Sequence, residues 1–247
     1  MSLSEINIRE RKFHDGLHSS GKQRSQNKFY KALYNLYKDF IDTLKLKTKS
    51  ADVLDYGCGV GNFAEEISLF KPKKIIAVDI SEEAIKKAKN KIRKGDINVD
   101  YRVDNCENLS LDSNSFDVVY GSGILHHLNL EKSLNELNRV LKKNGTIIFV
   151  EPLATNPLIN IYRKFTPSAR SPDEHPFKSG DIKLIKNIFK NVEIKYYGFL
   201  TLIFLPLYKS PEKSKFFKII SYIDGFIFKI KYLEFLAWSV LIKAEKS

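Results

Sequence analysis

The sequence predicts an α/β fold built on a parallel sheet, and three observations carry that expectation. Short apolar runs alternate with stretches of helical spacing, the pattern of βαβ units with right-handed crossovers. The first run, "VLDYGCGVGNF" at residues 53–63, passes through an acid into three alternating glycines and then into helix-forming residues. The next two runs, in "IIAVDIS" and "YRVDN", also close on an acid.

The elements follow in order. Phe29, Leu33, Leu36, Phe40 and Leu44 recur at helical spacing, so a helix is expected from about Gln26 to Leu44. Strands are expected at 51–56, 74–79, 98–103, 116–121 and 145–150, with helices at 62–70, 82–94 and 129–141. "LKKNGT" ends the last of these helices, with Asn144 and Gly145 as the turn into the following strand. Beyond Glu151 the texture changes: "EPLATNPLINIYRKFTPSARSPDEHPF" holds five prolines and no clean period, which reads as a long ordered loop or a short-helix insertion. A helix near 179–190 and a strand near 192–198 come next, then an aromatic-rich tail ending in "EFLAWSVLIKAEKS". The expected organisation is an N-terminal helical lid segment over 1–50 and one domain over 51–247, with cap and substrate-side insertions in 152–240.

Composition narrows the class. In 247 residues, 43% apolar content with 17 Phe and 12 Tyr builds a substantial core and excludes global disorder. The two cysteines, Cys58 and Cys106, give little support to a structural disulfide, and the chain reads as reduced and cytoplasmic. No basic segment followed by an apolar run opens the sequence, so no signal peptide is expected. The uncharged run "YYGFLTLIFLPLY" is too short to span a bilayer, and no transmembrane helix is expected. The net charge of +12 comes from lysines dispersed among acids, with no basic stretch interleaved with stacking aromatics. Solvated helix faces explain it better than a nucleic-acid surface, while attraction to acidic substrates, RNA or membrane stays open.

Glycine lets a backbone bend through positive φ and approach a ligand where a Cβ would collide. The free N–H groups of the helix that follows residues 57–61 add an anion site. The loop is not a dinucleotide fingerprint, because Asn62 stands where its third glycine would be, and it lacks the Lys and Ser/Thr of a phosphate-gripping loop. Asp55 is a poor neighbour for a pyrophosphate and a good one for a cation. Asp79, ending the second strand, is placed to take a ribose diol, although an acid there also suits the N-cap of the next helix. Asp104, ending the third, comes within reach of an adenine amino group, or serves as an ordinary strand-exit residue. A ligand joining an ammonium, a sulfonium, a ribose and an adenine would use all three acids.

On these residues the chain resembles the class I S-adenosylmethionine-dependent methyltransferases, over roughly 50–151 and more loosely to the end. The matching stretches are "VLDYGCGVGNF", "VDIS", "DNCENL", "FDVVYGSGILHHL" and "LKKNGTIIFVEP", in order and correctly spaced. "KFHDGLH" and the proline-rich segment resemble a small-molecule, quinone-biosynthesis-like branch. The resemblance implies a Rossmann-like seven-stranded, mostly parallel sheet with helices on both faces and an antiparallel last strand. It implies S-adenosyl-L-methionine as cofactor and S-adenosyl-L-homocysteine as product. Cofactor contacts are expected at Asp55, Gly57, Cys58, Gly59, Asn62, Asp79, Ile80, Asp104, Asn105, Cys106, Gly121 and Ser122.

The acceptor is expected to be a small or lipid-like molecule methylated at a hydroxyl oxygen, with carbon and nitrogen open. A hydroxyl nucleophile needs a base, and His126, His127 and His175 are the catalytic candidates. No His or Cys set has metal-ligand spacing, so no metal is expected. The Asn/Asp-Pro-Pro-aromatic segment carried by many amino-directed nucleic-acid members is absent after the fourth strand, which argues against a nucleic-acid acceptor. An RNA-directed enzyme and a non-catalytic cofactor-binding protein are the rival readings. Peripheral membrane contact through 196–241 is a further expectation. The segment from Phe13 to Tyr30 and the loop 152–178 are expected to close together over the sheet edge. They carry His14, Asp15, Arg24, Tyr30, Arg163, Glu174 and His175, with Glu151 just before them.

Overall fold

The computed structural model describes residues 3–19, 25–91, 99–167 and 170–247. Seven strands form one sheet: β1 (Asp52–Tyr56), β2 (Lys74–Asp79), β3 (Val99–Val103), β4 (Phe116–Ser122), β5 (Leu141–Pro152), β6 (Lys190–Tyr197) and β7 (Ser239–Glu245). Their order is β3-β2-β1-β4-β5-β7-β6, and β7 runs antiparallel between β5 and β6. The other pairings in the β3-to-β5 half are parallel. This is the Rossmann-like architecture the resemblance implied. The strand order reverses beside β1, so the acids that close β1 and β2 face a crevice at the carboxyl edge, where ligands of open α/β sheets bind.

Alternate residues of each strand feed two cores. Leu54, Tyr56, Ile76, Val78 and Phe149 point to one face, covered by α5 (Leu130–Val140) and α7 (Ser179–Ile188). Val53, Ile75, Ala77, Tyr120 and Ile148 point to the other, covered by α2 (Tyr34–Thr48), α3 (Asn62–Ser68) and α4 (Glu82–Lys89). Sequence pattern placed these helices because each buries one apolar stripe: Leu36, Phe40 and Leu44 in α2, Leu134, Leu137 and Val140 in α5.

Several expectations change in detail. The helix expected over 26–44 is a 3-10 segment, Ser25–Leu33, followed by α2, which runs on to Thr48. The helix expected over 82–94 ends at Lys89, with Asn90 as its C-cap, and residues 92–98 lie outside the described residues. β5 is longer than expected, from Leu141, because a register shift lets "KKNG" stay within the strand. A first helix, α1 (Glu5–Ser19), has no counterpart in the periodicity reading because its buried positions are polar, Asn7 and Glu10.

Beyond β5 the chain makes α6 (Pro157–Phe165), whose N-cap Asn156 accepts from the Ile159 amide at 3.0 Å. After β6 come a single turn, α8 (Leu200–Ile203), and α9 (Lys215–Ile227). Asp224 reads in sequence as a charge interrupting the tail, yet it is buried. Its carboxylate accepts from the amides of Leu200 (2.7 Å) and Thr201 (3.1 Å) and from the Thr201 hydroxyl (3.0 Å), which locks α9 to the start of α8.

Candidate active site

The glycine turn is shaped by three positive φ values, 76° at Gly57, 51° at Gly59 and 73° at Gly61. A Cβ at Gly57 would strike Ile124 and one at Gly61 would strike Tyr101, so those two glycines are demanded by the protein itself. Gly59 is different: no protein atom lies within 4 Å of where its Cβ would stand, and it lines a cavity. That open space is what a cofactor approaching the backbone requires.

The cavity beside Gly59 holds about 260 Å³. Gly57, Gly59, Asp79, Ile80, Asn105, Cys106 and Ser122 line it from the sheet edge, and Asn7, Glu10, His14, Leu17 and His18 of α1 line it from above. Of the residues expected to meet the cofactor, these seven sheet-edge positions are brought together. Asp79 accepts from the Gly59 amide (2.7 Å) and the Ser81 amide (2.9 Å), so its carboxylate is oriented by the glycine turn and also braces the start of α4. The N-cap itself is Ser81, whose hydroxyl accepts from Ala84.

Asp55 is buried behind the turn, and its Oδ2 has no hydrogen-bond partner. Burial pushes its carboxyl up to about 7, and the nearby Asp79 charge adds to the push. Asp55 itself does not line the cavity: its orphaned oxygen lies beneath the turn, while Asp79 and the open Gly59 backbone form the cavity wall, a set of groups that suits a ligand bringing a cation. The residues present thus fit S-adenosylmethionine.

Other expected positions stand apart from this cavity. Asp104 spends both oxygens on its own loop, accepting from the Asn105 amide and from the amide and hydroxyl of Ser110. Asn62 is bonded by Lys91 on the far side of the turn. Gly121 serves close packing, since a Cβ there would strike Phe149, the Tyr56 carbonyl and Ile124. Cys58 is not among the lining residues, and burial pushes the Cys58 and Cys106 thiols far up, which makes both poor nucleophiles.

A larger cavity of about 400 Å³ adjoins the first and shares Ser122, Gly123 and His127 with it. Phe29, Tyr30, Leu33, Tyr37, Leu158, Tyr162 and Trp238 give it apolar and aromatic surface, with the Phe29 and Tyr162 rings 5.2 Å apart, and Arg163, Arg170, Glu174 and His126 also line it. Glu151, wholly buried beneath it, accepts from the amides of Ile124 (3.1 Å) and Leu125 (2.9 Å) through one oxygen. Its other oxygen lies 2.6 Å from His126 Nδ1. One carboxylate therefore fixes the exit of β4 and orients the imidazole, and Nε2 is left 3.9 Å from Glu174.

His127 leans the other way. Its Nδ1 lies 3.1 Å from Glu10, and burial lowers its pKa against the pull of that carboxylate. Burial works to raise Glu10, but the nearby His127 and His14 rings and the hydrogen bond from Ser171 outweigh it and hold the carboxyl well below the ordinary range. The ring of His175 is exposed and lines neither cavity; only its amide reaches inward, to the His126 carbonyl at 2.9 Å.

The lid candidates are tied together. Arg9 holds Asp173 through two 2.8 Å bonds, and Ser171 donates to Glu10. Asp15 accepts from the Ser81 hydroxyl at 2.5 Å, which seats α1 on the start of α4. Arg24 lies outside the described residues. Sequence spacing suggested no metal set, but the fold gathers two among the described residues, Glu10–His14–His127 and His126–His127–Glu174, each with ligand atoms within 4.8 Å. Glu10 itself was missed, since nothing in a polar helix marks one acid as the buried one.

Comparison with known proteins agrees with this geometry. Residues 54–149 match the model of a methyltransferase domain family. Over these residues the chain is similar to that methyltransferase domain, and its fold is the one shared by solved S-adenosylmethionine-dependent methyltransferases. It is 37% identical over 130 residues to an uncharacterised protein of Methanocaldococcus jannaschii, covering 51% of this chain and 47% of that one. It is 33% identical over 121 residues to the ubiquinone biosynthesis O-methyltransferase of Pelagibacter ubique, covering 48% of this chain and 49% of that one. The chain spans about half the length of the curated relatives it matches. Among solved structures, the phosphoethanolamine N-methyltransferase 2 of Haemonchus contortus, bound to S-adenosylhomocysteine, superposes with a TM-score of 0.63 at 16% identity, over 99% of this chain and 60% of that one.

Proposed function

We propose that the protein is a methyltransferase that uses S-adenosylmethionine to methylate a small or lipid-like acceptor at a hydroxyl oxygen. The observation that carries this is the His126–Glu151 pair at the wall of the larger cavity, next to the residues that cavity shares with the cofactor side. A carboxylate on Nδ1 keeps the proton there and leaves Nε2 free to accept one from an acceptor hydroxyl. The bound cofactor supplies an electrophilic methyl group. The chain's own part is to hold the acceptor in line and dry, with Ser122, Gly123 and His127 between the two ligands and α1 over the smaller cavity.

Relatives named for O-methylation, C-methylation and N-methylation all resemble this chain, so oxygen rests on the base alone. The test is a screen of phenols, sugars, quinols and amines with labelled cofactor, followed by His126→Gln on the best acceptor. A loss of about 10²-fold or more in turnover with cofactor affinity kept supports the reading. Full turnover in His126→Gln, or labelling of amines alone, overturns it.

We further infer that α9 rests on an anionic membrane surface. Phe216, Ile219, Tyr222, Ile223 and Phe226 form one exposed stripe, with Tyr222 79% and Phe226 62% exposed. Lys215, Lys218, Lys229 and Lys231 border that stripe in the sequence. Those lysines complement acidic headgroups, and no helix among the described residues is long and apolar enough to cross a membrane.

A further inference from the structure

The larger cavity has a feature that methyl transfer to a hydroxyl does not use. Arg163 and Arg170 both line it, and neither has a carboxylate within ion-pair distance among the described residues. Arg163 is not loosely placed. Its Nη1 donates to the Leu153 carbonyl at 2.8 Å and to Asn160 Oδ1 at 2.9 Å, and Asn160 is itself held by the Ala154 carbonyl. Nε and Nη2 have no hydrogen-bond partner among the described residues. Arg170 donates to the Arg163 carbonyl, and its charge acts on the Arg163 guanidinium. Burial pulls the Arg163 guanidinium down to about 10, so it stays a cation at neutral pH while partly stripped of water.

The other arginines among the described residues are paired. Arg9 has Asp173, Arg11 has Glu82, Arg102 has Asp100 and Arg139 has Glu136. Two cations with no acid in ion-pair contact among the described residues, in the wall of a cavity where Glu174 acts on Arg163 only at longer range, and with donors fixed by neighbours, are a preformed anion fork. The same cavity also carries apolar and aromatic lining, with Tyr30 and Trp238 rings 5.7 Å apart.

We propose that this cavity takes an amphiphilic acceptor whose apolar body lies against Tyr30 and Trp238 and whose anionic group, a carboxylate or a phosphate, is held by Arg163 and Arg170. This deepens the methyltransferase reading and rests on it only for the word acceptor. Glu174 contributes to specificity in the same cavity, since its charge near His126 disfavours an anion at the base and steers it toward the arginines. Arg163 and Arg170 are binding residues here, not catalytic ones.

The test uses the full chain saturated with S-adenosylhomocysteine and four probes that share one body: 2-naphthoate, 2-naphthyl phosphate, 2-naphthamide and 2-naphthylmethylamine. Titration calorimetry should show one or both anions binding at least about 10-fold more tightly than the amide, with the amine weakest. Which anion leads separates a carboxylate acceptor from a phosphate one. In Arg163→Gln the anion preference should shrink to about 2-fold or less while the amide binds as before; Arg170→Gln gives the same readout if the first variant does not fold. Equal binding of amide and anions by the wild-type protein, or preference for the amine, overturns the proposal without any variant. Failure of S-adenosylhomocysteine itself to bind would instead remove the methyltransferase reading, so the two failures are distinguishable.

Discussion

Asp79 and Asp55 close adjacent strands, but the fold gives them different work. Asp79 is already oriented by the Gly59 and Ser81 amides, so its remaining lone pairs are aimed into the smaller cavity at no further ordering cost. Asp79→Ala should weaken S-adenosylmethionine binding by about 1.5–3 kcal/mol, as for the loss of charge-assisted bonds. Calorimetric affinity equal to wild type in a folded variant would remove the ribose assignment. Gly59→Val should abolish binding, since its side chain would fill space that no protein atom occupies. Asp55 is the pH-sensitive member. Its folded value of about 7 lies above the ordinary carboxylate range, so this group costs the ligand-free protein stability progressively as pH rises from about 4 to 7. A cation brought beside it reverses that cost. Cofactor binding should therefore release a proton near pH 6 and tighten up to about pH 7, with both effects gone in Asp55→Asn. Affinity independent of pH between 5.5 and 7.5 would contradict this.

At the scale of elements, α1 is held over the cofactor side by contacts to two different parts of the chain, α4 through Asp15 and the segment after α6 through Arg9 and Glu10. A covering element held by a few polar contacts rather than by an apolar core sits at the low end of local stability. Adding S-adenosylhomocysteine should increase hydrogen-exchange protection in α1 and in residues 171–177 together. Arg9→Ala should raise exchange in both and weaken cofactor binding a few-fold. Protection that changes in only one of the two segments would show that they do not move as a unit. Legibility divides along the same line. The strands and α2 to α5 were readable because apolar periodicity records burial in a core, and the glycine turn because positive φ restricts residue type. α1, α8 and α9 were not. Their contacts are a polar buried face, a capping aspartate and an apolar face turned outward, and none of these leaves a periodic signal. Asp55, Asp79 and the His126–His127 pair could be located by position in the sequence, whereas Glu10 and the Glu151 partnership appear only once the chain is folded.

At the scale of the molecule, the exposed stripe of α9 and the α6 residues Ile161 and Phe165, the latter 82% exposed, belong to the cap that also supplies Leu158 and Leu202 to the larger cavity. Vesicles rich in phosphatidylglycerol should carry the protein upward in flotation, neutral vesicles should not, and Ile219→Asp with Phe226→Asp should abolish the effect. Flotation indifferent to the double substitution, or self-association through this stripe instead, would overturn the membrane reading. The two cavities also face different covers. Residues of α1 line the smaller cavity and residues of α6 and α8 line the larger, and only Ser122, Gly123 and His127 are common to both. On the proposed function the cofactor enters beneath α1 and the acceptor past α6 and α8, two openings bordered in common by the segment that carries Arg170 and Glu174 and holds α1 through Ser171 and Asp173. S-adenosylhomocysteine should accordingly compete with S-adenosylmethionine but act noncompetitively toward the acceptor, and a molecule with two reactive hydroxyls could be methylated twice without leaving its berth.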